Sequence, residues 1–120
     1  MVEVLGSAEF EEWFLGLGSA DARAVVRGVG LLEAKGLALG FPYCSALGGS
    51  QYALRELRVQ SSGRPLRIFY AFDPQRQAVL LLGGDKTGDD RFYSRMIPRA
   101  EAIWERYLKE LTSSGNRSTP

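Results

Sequence analysis

Apolar residues recur along this chain at two different periods. As far as residue 36 the period is helical: Phe10, Trp13, Phe14 and Leu17 share one side of a stretch that Ser7 can cap, with Glu9 in its first turn. Gly16 and Gly18 close that stretch. Ala22, Val25, Val26, Val29 and Leu32 then repeat at helical spacing from Ser19 to a stop at Gly36, so two short helices form a hairpin. Ahead of it, residues 2–5 fit a short strand. Gly40, Pro42, Gly48 and Gly49 break any period over 37–50, which reads as irregular chain crossing to the next layer.

From Tyr52 the texture is that of strands. Segments 52–59, 66–72 and 77–82, joined by turns at Ser61-Ser62-Gly63 and Asp73-Pro74-Gln75, predict an antiparallel three-strand meander. Gly83, Gly84 and Gly88 bracket a loop. Asp89 or Asp90 can cap a helical stretch through Met96, and Pro98 opens a final helix bearing Ile103, Trp104, Tyr107, Leu108 and Leu111. The fold class is α+β: an N-terminal helical hairpin packed on a small antiparallel β-sheet, with C-terminal helices. A single domain over 1–111 and a flexible tail over 112–120 are expected, with no repeat and no linker.

Composition narrows the chemistry. A chain of 120 residues, 45% hydrophobic, has the size of one compact domain. Its net charge is +1, yet residues 1–51 carry three basic and six acidic side chains against twelve and eight in 52–120, so an anionic partner belongs to the second half. One cysteine and no histidine exclude an internal disulfide and a cysteine-based zinc site, and remove the commonest general base. That leaves chemistry without metal or cofactor, or none. Cys44, among apolar neighbours, reads as a buried structural thiol. No basic leader precedes an apolar stretch, and the longest apolar run, 78–82, is too short for a bilayer. A cytoplasmic protein without membrane contact is expected, which makes the triplet Asn116-Arg117-Ser118 a chance match to a glycosylation site.

The first hairpin carries the main functional signal. With Val59 opposite Leu66, Leu57 faces Ile68, Arg58 faces Arg67 and Glu56 faces Phe69. That register puts Leu57, Val59, Leu66, Ile68, Tyr70 and Phe72 on one apolar face and pairs Arg58 with Arg67 on the other. Two arginines directly across strands repel. Either they form two guanidinium forks for one phosphate, or Glu56 neutralises one and solvent the other. Arg55 and Arg64 add charge to the same hairpin as RNA-binding candidates, although Arg55 lies on the opposite pleat from Arg58, where an edge or a protein partner would meet it.

After the third strand comes Gly83-Gly84-Asp85-Lys86-Thr87-Gly88. It lacks the GxxxxGK[ST] spacing of a nucleotide-binding P-loop. Its glycines either bring backbone and Lys86 close to a nucleic-acid backbone or simply make the turn. Asp85, Asp89 and Asp90 fit helix caps and solvated charge better than a magnesium site, so no metal is expected. In the following helical stretch, Arg91, Tyr93 and Arg95 are expected to face one groove, Arg91 and Arg95 as RNA-binding candidates, while Phe92 and Met96 pack inward. Tyr93 also fits the edge of an amphipathic core.

Leu54-Arg55-Glu56-Leu57-Arg58, then Arg67-Ile68-Phe69-Tyr70, then Gly83-Gly84-Asp85-Lys86-Thr87-Gly88 form a succession that resembles the RelE/ParE toxin superfamily, especially its phage-derived HigB-like branch. The resemblance runs from the helical hairpin to the closing helix, and those three segments carry its specificity. It implies a type II toxin–antitoxin toxin: an mRNA interferase that cuts transcripts, usually on the ribosome, without a metal. It also implies a small antitoxin, often a helix-turn-helix protein, in a hetero-oligomeric complex with the toxin. In that chemistry an RNA 2′-hydroxyl attacks the adjacent phosphate, and basic side chains stabilise the developing charge. By position, Arg58 and Arg67 would bind the scissile phosphate, with Arg67 the main contributor. Lys86 would stabilise charge or protonate the leaving group, and Tyr93 would stack a base or assist proton transfer. Some relatives use a histidine that this chain lacks, which leaves the general base unassigned. A non-catalytic ParE-like inhibitor of DNA gyrase is the alternative on the same fold.

Overall fold

The computed structural model describes residues 1–117. In chain order the elements are β1 (Val4–Gly6), α1 (Ala8–Leu15), α2 (Ser19–Lys35), a 3₁₀ turn (Gly36–Ala38), β2 (Cys44–Ala46), β3 (Arg55–Ser61), β4 (Arg64–Phe72), β5 (Ala78–Asp85) and α3 (Phe92–Arg117). Ser7 caps α1, accepting from the Phe10 N–H at 3.0 Å while its hydroxyl donates to the Leu81 carbonyl at 2.7 Å. One side chain thus ends a helix and ties it to the sheet.

β3, β4 and β5 are the expected antiparallel meander, now flanked by two three-residue edges in the order β1-β5-β4-β3-β2. The sheet is mixed, because β1 runs parallel to β5. Val59 pairs with Leu66, Leu57 with Ile68, Arg58 with Arg67 and Glu56 with Phe69, the register anticipated from the apolar alternation. Ser62 and Gly63, with φ of 52° and 77°, turn the chain between β3 and β4 in the left-handed conformations that suit a two-residue hairpin.

Each face of the sheet has its own core. Leu57, Val59, Leu66, Ile68, Tyr70 and Leu80 pack with Phe10, Ala24, Val25 and Leu32 of the helical hairpin. Phe69, Ala71, Val79, Leu81 and Leu82 pack with Phe92, Met96, Ala100, Ile103 and Trp104 of α3. A register shift at Phe69/Tyr70 lets Leu81 and Leu82 face the same side. Burial on both faces explains the unbroken apolar run in β5.

Three boundaries differ from the sequence expectation. The irregular segment contains β2, whose three residues are too few to show a period. The expected two C-terminal helices are one, with Pro98 inside it. Pro98 is exposed, and Phe92 and Met96 before it share their packed face with Ala100, Ile103 and Trp104 after it, so packing carries the helix through a residue that normally breaks one. α3 also continues to Arg117 rather than ending at Leu111; of the tail expected over 112–120, residues 118–120 lie outside the described part. Among the described residues no helix is long and apolar enough to cross a membrane.

Gly83 and Gly84 belong to β5, and each lies under an aromatic ring. A Cβ on Gly83 would sit 2.2 Å from Trp13 Cε3, and one on Gly84 would sit 2.9 Å from Phe92 Cε1. Their spacing thus serves packing on both faces, while Gly88, at φ +63°, makes the turn. Gly83→Ala is expected to displace the Trp13 ring and cost about 1–3 kcal/mol, read as a lower urea midpoint with native secondary structure retained.

Candidate functional site

The site is built around Glu56, a carboxylate on the α3 side of β3 whose side chain is only 7% exposed. Four side chains converge on it. Tyr93, from the first turn of α3, donates its hydroxyl to Oε1 at 2.6 Å, and Ser45, from β2, donates to Oε2 at 2.9 Å. Arg58 Nη1 donates to Oε2 at 3.3 Å, and Arg67 Nε lies 3.6 Å from Oε1. The cross-strand arginines do not drive each other apart, because this one carboxylate lies within ion-pair distance of both and offsets part of their repulsion.

The two arginines are not equivalent. Arg58 has 30% of its side chain exposed and holds its guanidinium 5.4 Å from the centre of the Phe41 ring, within cation–π range. Arg67 has 4% exposed, and its Nη1 donates to the Leu66 carbonyl at 3.0 Å. Arg67 therefore lies beneath the site, and Arg58 faces solvent at its rim.

Lys86, the first residue after β5, completes the group. Its backbone N–H donates to the Pro65 carbonyl at 3.0 Å, which anchors the loop to β4. Its Nζ lies 3.5 Å from the Tyr93 oxygen and 5.1 Å from the Tyr93 ring centre. Tyr93 stacks on Phe69 at 6.0 Å with an interplanar angle of 8°, so its ring is fixed from below. Burial pushes the Tyr93 hydroxyl above its ordinary pKa, its donation to Glu56 adds to that, and Arg67 opposes both. At neutral pH it is a phenol that holds its proton.

Other predicted residues lie elsewhere. Arg55 is on the opposite pleat, where its Nη2 reaches Cys44 Sγ at 3.5 Å; Cys44 itself is buried and donates to the Leu39 carbonyl at 3.1 Å. Arg64, at the hairpin end, forms ion pairs with Asp21 and with Asp85, the latter at 2.8 Å. Arg95 pairs with Asp89 at 2.7 Å and lines a separate groove with Trp13, Gly84 and Met96, so it does not share a groove with Tyr93; residues two apart on a helix diverge. Arg91 is exposed at the start of α3. Asp85 accepts from the Thr87 N–H and hydroxyl, and Asp89 from the Arg91 N–H. Sequence reasoning missed Ser45 and the central place of Glu56. The signal for Glu56 was its position two residues before Arg58, on the same pleat.

Asp21 and Arg64 lock α2 to the hairpin that presents the arginines. The Asp21 carboxyl is held below its ordinary value of 3.8, first by the Ser61 hydroxyl donating at 2.6 Å and then by Arg64. The stability this supplies is complete above the unfolded value of 3.8 and disappears as pH falls through the lower folded value. The melting temperature of Asp21→Asn is therefore expected to lie below wild type at pH 7 and to converge with it as pH drops below 4, in a scan of thermal unfolding against pH.

Fold, helical caps and a basic cluster on one sheet face define an α+β domain of the RelE-like class. The family model described as "Phage derived protein Gp49-like (DUF891)" matches residues 12–105, and the chain belongs to that family. It is 44% identical over 103 residues to "Putative toxin HigB3" of Mycobacterium tuberculosis (strain ATCC 25618 / H37Rv), covering 83% of this chain and 88% of that protein. It is 36% identical over 101 residues to "Putative toxin HigB2" of the same strain, covering 82% of this chain and 50% of that protein, so it spans about half the second relative's length. The HigB-like resemblance carried by the three motifs is thus the family's own.

Proposed function

We propose that this chain is the toxin of a type II toxin–antitoxin pair and an endoribonuclease that cuts ribosome-bound mRNA without a metal. The observation that carries this reading is the contact between Lys86 Nζ and the Tyr93 hydroxyl, beside two arginines held by one carboxylate. In the reaction the RNA 2′-oxygen attacks the adjacent phosphorus and the bond to the 5′-oxygen breaks. The products are a 2′,3′-cyclic phosphate and a 5′-hydroxyl. Tyr93 receives the 2′-proton as it passes its own to Glu56, Arg58 meets the phosphate, and Lys86 protonates the leaving oxygen. Arg67, from below, holds Glu56 in place. The partners are mRNA, the ribosome and a cognate antitoxin, a small helix-turn-helix protein that neutralises the toxin in a hetero-oligomer.

The test is to map new RNA 5′ ends shortly after tightly controlled induction of wild type, Arg67→Ala and Lys86→Ala. Cuts inside translated frames that vanish in both variants, and that purified protein reproduces in excess EDTA, are expected. Growth arrest with unchanged RNA ends would overturn the nuclease and favour a ParE-like inhibitor of gyrase.

A further inference from the structure

Outside the Glu56 cluster, the strongest unexplained surface is a groove of about 670 Å³ between α2 and β3. Its walls are aliphatic and aromatic: Ala24, Leu31, Pro42, Tyr43 and Val59. Leu31 is 38% and Tyr43 50% exposed, large for side chains that the fold had every chance to cover. Among the described residues, the charged ones lining it are Arg27 and Arg58.

Two glycines of α2 border this groove and differ in their surroundings. Gly28 has a packing reason, because a Cβ there would meet Val59 Cγ2 at 2.9 Å. Gly30 has none: apart from the backbone of its own helix and its chain neighbours, a Cβ there would have no heavy atom within 4 Å. A glycine inside a helix costs about 1 kcal/mol relative to alanine. Nothing among the described residues offsets that cost, whereas a partner backbone approaching the helix closely would.

We propose that this groove seats the antitoxin, through an amphipathic segment with apolar side chains on Leu31, Pro42 and Tyr43 and acidic side chains on Arg27 and Arg58. The inference rests on the toxin–antitoxin reading. Charge selects this occupant. A second copy of the chain would bring the arginines of two rims together, and an RNA strand would gain little from aliphatic walls. Arg58 belongs both to the groove and to the Glu56 cluster, so an acidic side chain seated here takes from the site the cation that faces solvent.

The test uses the full-length chain and the separately purified product of the reading frame adjoining its gene, with binding measured by titration calorimetry. Gly30→Trp sets a bulky ring at the groove's rim on an open helix position, and Arg27→Glu reverses one rim charge. Both variants are expected to bind at least about ten-fold more weakly than wild type, to cut RNA at the wild-type rate, and, for Gly30→Trp, to melt no lower. Wild-type affinity in both variants would overturn the docking site alone. So would weaker RNA binding with antitoxin affinity intact, or a wild-type dimer that Gly30→Trp turns into a monomer. No binding by wild type itself would remove the antitoxin pairing and its seat together. Weaker binding by variants of a protein that leaves all RNA intact would sink the nuclease and leave the docking site standing.

Discussion

Arg67→Ala is expected to lower the unfolding free energy by about 3 kcal/mol, whereas Arg58→Ala costs less than about 1 kcal/mol. Both arginines touch the same carboxylate, but Arg67 is 4% exposed and Arg58 30%. Removing the buried cation leaves Glu56 charged in a place that water cannot reach. Tyr93, Ser45 and Arg58 still hold that carboxylate, which keeps the loss at the lower end of the range for a broken buried pair. Urea denaturation of the three proteins at neutral pH measures the difference. Equal costs for the two arginines would mean that burial does not set their roles, and Arg67 would have to be moved from the floor of the site to its surface.

The second large effect belongs to Tyr93. Tyr93→Phe keeps the ring stacked on Phe69 and beside Lys86, and removes only the hydroxyl that Glu56 accepts at 2.6 Å. Single-turnover cleavage is expected to fall about 10²-fold or more, the usual scale for a lost proton-transfer group, while affinity for a 2′-deoxy substrate analogue stays near wild type. Cleavage within a few-fold of wild type would exclude the hydroxyl from proton transfer and leave Tyr93 as a stacking residue. A parallel loss of affinity would assign it to binding.

The central sheet was legible because Arg58 and Arg67 interrupt otherwise apolar strands, and one register puts both on the face opposite Leu57, Val59, Leu66 and Ile68; a slip by one residue would have set an arginine in the core under the helical hairpin. The Arg58–Arg67 pairing followed from that register. The proximity of Lys86 and Tyr93 did not follow from any period and came only through the family resemblance. Glu56 was visible as a neutralising charge but not as a hub, because Ser45 reaches it from an edge strand too short to leave a pattern and Tyr93 from a different layer. Arg95 was misplaced for a simpler reason: helical spacing already separates it from Tyr93, and Asp89 holds it on the other side. The glycines of β5 looked like loop residues because their partners, Trp13 and Phe92, are 70 residues back and eight on from Gly83 and Gly84 respectively.

Synthesis of the chain has its own bearing on where the site comes from. Ser45, Glu56, Arg58 and Arg67 leave the ribosome in that order, Lys86 and Tyr93 after them, and the buried face that positions Tyr93 extends to Trp104. Non-local pairing of this kind forms late. A nascent chain therefore carries its arginines without the phenol or the ammonium that would make them reactive. On the proposed chemistry, the ribosome that makes this protein is safe from it until the last helix has emerged, and a message broken before the codon for Phe92 yields a harmless fragment.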